Sequence, residues 1–123
     1  MGTRREGFEI PVSVSDRFHI GSDTKAMTAL VAATLVEEGR LRFDSTLGEV
    51  FPELAGTMDP GFSKVTLQQL LSHTSGLPSD DEAFGELLEK AVLREENLDD
   101  VRRWMLEEQA PVPLEAKAGT RFA

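Results

Sequence analysis

Two residues one helical turn apart, Ser22 and Lys25, are the part of this sequence best suited to chemistry. A serine hydroxyl is a poor nucleophile near neutral pH. It needs a base within hydrogen-bond reach and donors aimed at the oxyanion that develops when it attacks a carbonyl. Ser-x-x-Lys on a helix supplies the base, because residues i and i+3 share a face and bring the amine up to the hydroxyl. An apolar surround would favour the neutral amine, the form that can take the serine proton. The start of a helix supplies donors, through its free N–H groups and the positive end of its dipole. The same four residues are also what an ordinary helix start looks like, with Ser22 as N-cap and Lys25 as a first-turn surface lysine. The two histidines, His19 and His73, invite a Ser-His pairing. His19, however, lies just before Ser22 on a segment read as extended, and its role is read as structural.

The elements that must position this pair follow from local patterning. Residues 8–14 alternate in part and end in the polar run Ser15-Asp16-Arg17, which reads as a short strand. Pro11 lacks a ladder donor and places that strand at a sheet edge. Ser22, Asp23 and Thr24 are consecutive cap-type residues and announce a helix that runs to about Glu38 and stops at Gly39. The body of this helix, from Ala26 to Val36, is apolar nearly all the way round, so it is expected to be buried and packed on several sides. Residues 41–54 read as a loop with short turns, anchored by Leu47, Val50, Phe51 and Leu54. Thr66-Leu67-Gln68-Gln69 is a capping box that opens a helix from Leu67 to about His73, ended by Gly76-Leu77-Pro78. Asp80 and Asp81 can cap a helix through Arg94. Asn97 with Asp99 and Asp100 starts another, carrying Leu98, Val101, Trp104 and Met105 on one face.

The bulk composition sets limits. A chain of 123 residues is enough for one small domain. It is short for a chain that must surround an all-apolar helix, so packing partners for that helix are expected to lie outside the 123 residues. The formal net charge of −9 argues against nucleic acid and against an anionic membrane surface as partners. The absence of cysteine excludes disulfides and cysteine catalysis. No cofactor is implied, and with two histidines no dedicated metal site is expected, although carboxylates also ligate. No run reaches the roughly 18 apolar residues of a membrane span. No apolar region follows Arg4-Arg5, so a signal peptide is not expected, and the compartment stays open. Residues 79–108 hold 11 acidic and 4 basic side chains, which read as a solvated helical surface rather than a dock for a cationic partner.

The segment Phe18-His19-Ile20-Gly21-Ser22-Asp23-Thr24-Lys25-Ala26-Met27-Thr28-Ala29 resembles the nucleophile segment of the serine β-lactamase-like and penicillin-binding protein family, in particular its class C β-lactamases, D-Ala-D-Ala carboxypeptidases and related esterases. Gly39-Arg40-Leu41 through Phe51-Pro52-Glu53-Leu54 resembles the stretch that follows the nucleophile helix there. Val65-Thr66-Leu67-Gln68-Gln69-Leu70-Leu71-Ser72-His73-Thr74-Ser75-Gly76-Leu77-Pro78 resembles another of its signatures, in which the histidine is not a base. The resemblance implies acyl transfer. Ser22 attacks a carbonyl, Lys25 helps take its proton, and the Ser22 backbone N–H forms half of the oxyanion hole. It also implies an α-rich, partial α+β fold: an N-terminal edge strand, a buried nucleophile helix and a helical subdomain, with most of the central sheet missing.

The family also uses a Tyr-x-Asn motif and a Lys-Thr-Gly-like motif on a strand. This chain contains no tyrosine. Its last residues, Ala118-Gly119-Thr120-Arg121-Phe122-Ala123, resemble the run that immediately precedes that tyrosine. Lys117-Ala118-Gly119 mimics the third motif only superficially. Residues 1–123 therefore read as a partial serine hydrolase domain, cut before Tyr-x-Asn and inactive by itself. Its substrate would be a small-molecule or peptide amide or ester: a β-lactam, a D-Ala peptide or a simple ester. Exposed apolar surface would then favour self-association. The competing reading is a non-catalytic helical interaction module derived from the family, which the missing tyrosine and the acidic helices favour.

Overall fold

A computed structural model describes residues 2–78 and 81–122 of the chain. The capping role expected of Asp80 and the terminal Ala123 lie outside the described residues. Helix α1 spans Asp23–Glu37. A single turn, α2, spans Leu47–Val50. Helix α3 covers Leu67–Leu71, α4 covers Glu82–Val92 and α5 covers Leu98–Gln109. Two 3₁₀ turns lie between α2 and α3, at Pro52–Leu54 and Phe62–Lys64.

The expected edge strand over residues 8–14 does not form. Thr3 and Pro11 make only an isolated antiparallel bridge. Around it, the Arg4 N–H donates to the Ile10 carbonyl at 2.8 Å and the Val12 N–H donates to the Gly2 carbonyl at 2.9 Å. Gly7, at φ 77°, turns the chain between these arms. A ribbon this short is marginal by itself, Pro11 cannot donate, and no further strand lies beside it among the described residues.

The caps explain how the middle of the chain is organised. Thr66 forms its expected box: its Oγ1 accepts from the Gln69 N–H at 3.3 Å, while Gln69 Oε1 accepts from the Thr66 N–H at 3.0 Å. A second box lies within the stretch expected to be loop, at Thr46-Leu47-Gly48-Glu49. There Thr46 Oγ1 accepts from the Glu49 N–H, and Glu49 Oε2 from the Thr46 N–H. Both N-cap threonines have extended backbones. Extended N-caps can pair, and Thr46 and Thr66 do so as an antiparallel bridge. The Leu47 N–H reaches the Val65 carbonyl at 2.9 Å and the Leu67 N–H reaches the Ser45 carbonyl at 3.0 Å. Two short helical turns are thereby started side by side.

Below this pair lies the core. Met58, Phe62 and Ala110 are buried, with Leu47, Phe51, Leu54, Leu77 and Leu106 packed against them. Val65 is fully enclosed. Helix α5 joins the core through Leu106, while Leu87 on α4 and Val101 on α5 are also buried. Asp81 caps α4, its Oδ1 accepting from the Phe84 N–H at 2.7 Å. Asn97 caps α5 by accepting from the Asp99 and Asp100 N–H groups. Where α4 turns toward α5, the Arg94 guanidinium lies over the Trp104 ring at 4.3 Å.

One ion pair ties the acidic hairpin to the core across the sequence: Arg103 Nη2 donates to Glu53 Oε1 at 2.8 Å. The Glu53 carboxyl is held below its ordinary value of 4.5, first by its own backbone N–H at the start of the 3₁₀ turn and then by Arg103. A carboxyl with a lowered folded pKa adds stability above its unfolded value, and that stability is lost as pH falls through the folded one. The Glu53→Gln variant should therefore show a shallower loss of Tm than the parent as pH drops below 4.5, in thermal melts followed by circular dichroism. Superimposable acid profiles would mean that the pair adds nothing to folding. Both partners are well exposed, so the difference is expected to be small.

Helix α1 bears on two expectations, burial and packing partners outside these 123 residues. It has the expected length and ends before Gly39, which sits at φ 70°. It is not buried. Ala32 is its one buried residue among those described, whereas Met27, Leu30 and Val31 are 57%, 70% and 60% exposed. The helix is apolar all round, but the other elements of this chain pack on each other rather than around it.

Candidate active site

Gly21 sets the geometry of the pair. It stands at φ 53°, a backbone that L side chains rarely adopt, and no atom crowds the place where its Cβ would be. Glycine is needed there for the turn, not for space. Past this turn the chain enters α1 through three tight bonds. The Asp23, Thr24 and Lys25 N–H groups donate to the Ile20, Gly21 and Ser22 carbonyls at 3.2, 3.2 and 2.9 Å.

Ser22 occupies the N-cap position without acting as a cap. A capping serine holds an extended backbone and accepts an N–H from the first turn. Ser22 is already helical, at φ −67° and ψ −12°, and makes no side-chain cap bond. Its Oγ instead receives a hydrogen bond from Lys25 Nζ at 2.9 Å. The sequence spacing thus becomes a direct hydroxyl–amine contact, and the ordinary-cap alternative does not describe Ser22.

The donors differ from the expected set. The N–H groups of residues 23–25 are engaged in turn bonds, so they are not free for an oxyanion. The Ser22 N–H has no acceptor among the described residues. Ser22 and Lys25 are both exposed, as are the flanking Phe18, Ile20 and Met27. The apolar enclosure expected around Lys25 is absent, because the helix that carries it is uncovered.

Neither histidine joins the pair. His19 borders an open cleft of about 340 Å³ on the N-terminal arm, with Thr3, Arg4, Val12, Asp16, Arg17 and Phe18. An ion pair between Arg4 Nη2 and Asp16 Oδ1, 2.8 Å long, lies along that cleft. His73 follows α3 in a left-handed conformation, φ 55°, and its ring lies 5.6 Å from that of Phe122. Among the described residues no group of three or more Asp, Glu or His is placed to hold a metal ion. No described helix is long and apolar enough to cross a membrane.

The beta-lactamase family model matches residues 2–123. The chain belongs to this serine β-lactamase-like, penicillin-binding-like family. Among relatives, "Protein flp" of Staphylococcus aureus strain MW2 is 31% identical over 115 residues, covering 93% of this chain and 21% of that protein. A protein named "Beta-lactamase" from Providencia stuartii is 34% identical over 91 residues, covering 71% of this chain and 23% of that protein. This β-lactamase-family chain therefore spans about a fifth of the length of such relatives. No solved structure matches it significantly.

Proposed function

We propose that this chain carries the nucleophile segment of a serine hydrolase that works by acyl transfer, with Ser22 as nucleophile and Lys25 as its proton acceptor. The observation that carries the reading is the 2.9 Å contact between Lys25 Nζ and a Ser22 hydroxyl released from capping. In the neutral form of the amine the same line reverses direction, and the hydroxyl donates to nitrogen. The Ser22 oxygen bonds to the substrate carbonyl carbon, the carbonyl electron pair moves to its oxygen, and the serine proton passes to Lys25. Collapse expels the leaving group with that proton and leaves an ester on Ser22, which water then hydrolyses. The free Ser22 N–H supplies one donor to the oxyanion.

The substrate in this reading is a small amide or ester: a β-lactam, a D-Ala peptide or a simple ester. Family membership and the name of the Providencia relative support that class. Residues 1–123 are read as part of a larger catalytic domain, whose remaining segments cover α1 and finish the site. The exposure of α1 and the share of its relatives that the chain spans support this.

The test is covalent labelling of the full gene product. A fluorophosphonate or a fluorescent penicillin is expected to add its mass to the peptide that contains Ser22, and the Ser22→Ala variant is expected to take up none. Equal labelling of the variant, or no labelling of either protein, would overturn the reading, the latter in favour of a non-catalytic interaction module.

A further inference from the structure

A second construction lies away from Ser22. Past α5 the chain runs back across the core as a strap, residues 111–122. Val112, Leu114, Ala116 and Ala118 turn inward and are half-buried, while Pro111, Pro113, Glu115, Lys117 and Gly119 face out. Exposure alternates along residues 111–119 although the backbone is not regular: it bends at residues 115–116 and turns after Lys117, whose carbonyl accepts from the Thr120 N–H at 3.2 Å.

What holds the strap is the turn that follows α3. The Glu115 N–H donates to the Gly76 carbonyl at 2.9 Å, and the Gly119 N–H donates to the Thr74 carbonyl at 2.7 Å. Gly76 is buried at φ 75°, and a Cβ there would run into the carbonyl of Ala116. Backbone lies directly on backbone at that crossing, which requires glycine twice over, for its conformation and for its lack of a side chain. Gly119 stands at φ 82°, close against the side-chain nitrogen of Gln69. Gln69 is the residue whose oxygen completes the α3 capping box. Beyond it, the His73 ring meets that of Phe122. The contacts between the two segments thus span 115–122 on one side and 69–76 on the other.

We propose that the turn at residues 72–77 is a latch for the 111–122 strap, with Gly76 as the residue that lets it close and His73 as a positioning residue that fixes its outer end. The latch is a device of the fold and stands independently of the reading at Ser22. Its consequence is local. The closed strap is one wall of an open cleft of about 520 Å³, facing Asp59, Gly61, Lys64 and Gln69, with Leu114, Ala116 and Lys117 on the strap side. Releasing the latch removes that wall, while the packing of Met58, Phe62 and Val65 is retained.

Limited trypsinolysis of the native protein tests this, because Lys117 and Arg121 are exposed cleavage sites on the strap and Lys90 is an exposed control site on α4. Where reclosing is faster than cleavage, the cutting rate follows the population of the open form. Gly76→Ala is expected to raise cutting at Lys117 and Arg121 by roughly tenfold or more relative to Lys90, since it both strains the backbone and blocks the crossing. His73→Gly keeps the left-handed turn and removes only the ring, and is expected to raise strap cutting by about threefold, the worth of one aromatic contact. Phe122→Ala should match it, and the double variant should be no worse than either single one. A rise at Lys90 equal to that at the strap sites, unchanged strap cutting in Gly76→Ala, or additive effects of His73→Gly and Phe122→Ala would overturn the latch.

Discussion

Replacing Lys25 by alanine is expected to lower the rate at which Ser22 is acylated in the full gene product by ~10²–10⁴-fold, the usual contribution of a placed proton-transfer group. The geometry gives the reason. Lys25 Nζ, 2.9 Å away, is the one side-chain group bonded to the Ser22 hydroxyl among the described residues, so no second base stands ready to replace it. Lys25→Arg separates two roles. Arginine keeps a cation and hydrogen-bond donors beside Ser22, but it does not give up its proton at accessible pH. If Lys25 only orients the hydroxyl, arginine should preserve much of the rate. If Lys25 receives the proton, arginine should fail nearly as badly as alanine. The measurement is the second-order rate of fluorophosphonate labelling, with unchanged melting behaviour as the folding control. A Lys25→Ala rate within a few fold of the parent would remove lysine from the mechanism while leaving Ser22 in place.

The second large effect is structural. Phe62→Ala is expected to destabilise the helical block by about 3–5 kcal/mol, because Phe62 is the largest enclosed side chain and the block cannot collapse freely into the space it leaves. That is a large share of the stability of a small domain, so the cooperative thermal transition should fall steeply or vanish. Leu30→Ser on α1 is the contrasting case. Leu30 is 70% exposed, and its loss should change stability by roughly 0.5 kcal/mol or less. Thermal melts of both variants of the 123-residue chain check the pair. If Leu30→Ser proved as damaging as Phe62→Ala, α1 would be buried in solution and the exposure described above would be wrong.

These two effects mark where sequence reasoning reaches and where it stops. The caps at Thr66, Asp81 and Asn97 were readable because capping depends on a few neighbouring residues and on backbone groups that every helix start leaves unpaired. The end of α1 at Gly39 was readable because a left-handed glycine stops a helix, whereas Ser22 marks the start of α1 without capping it. The contact of Ser22 with Lys25 was readable too, since helix geometry by itself brings i and i+3 together. The box at Thr46 and Glu49 carries the same signal, but α2 is a single turn with too little apolar periodicity to announce a helix.

Non-local facts were not readable. The pairing of Thr46 with Thr66, the reach of Arg103 to Glu53, and the crossing of Ala116 over Gly76 each join segments far apart in the chain, and no local pattern encodes which will meet. The expected strand at residues 8–14 is absent and α1 is uncovered for a common reason: strand pairing and helix burial are properties of a neighbour. A strand needs a partner to satisfy its backbone, and an apolar helix needs other surfaces to exclude water from it. The sequence by itself determined the identity and spacing of the Ser22–Lys25 pair, and the longer segments at residues 18–29 and 65–78 carried the family. Only the tertiary structure decided that the helix carrying the pair stands open to water, because exposure depends on what surrounds the residues rather than on the residues alone.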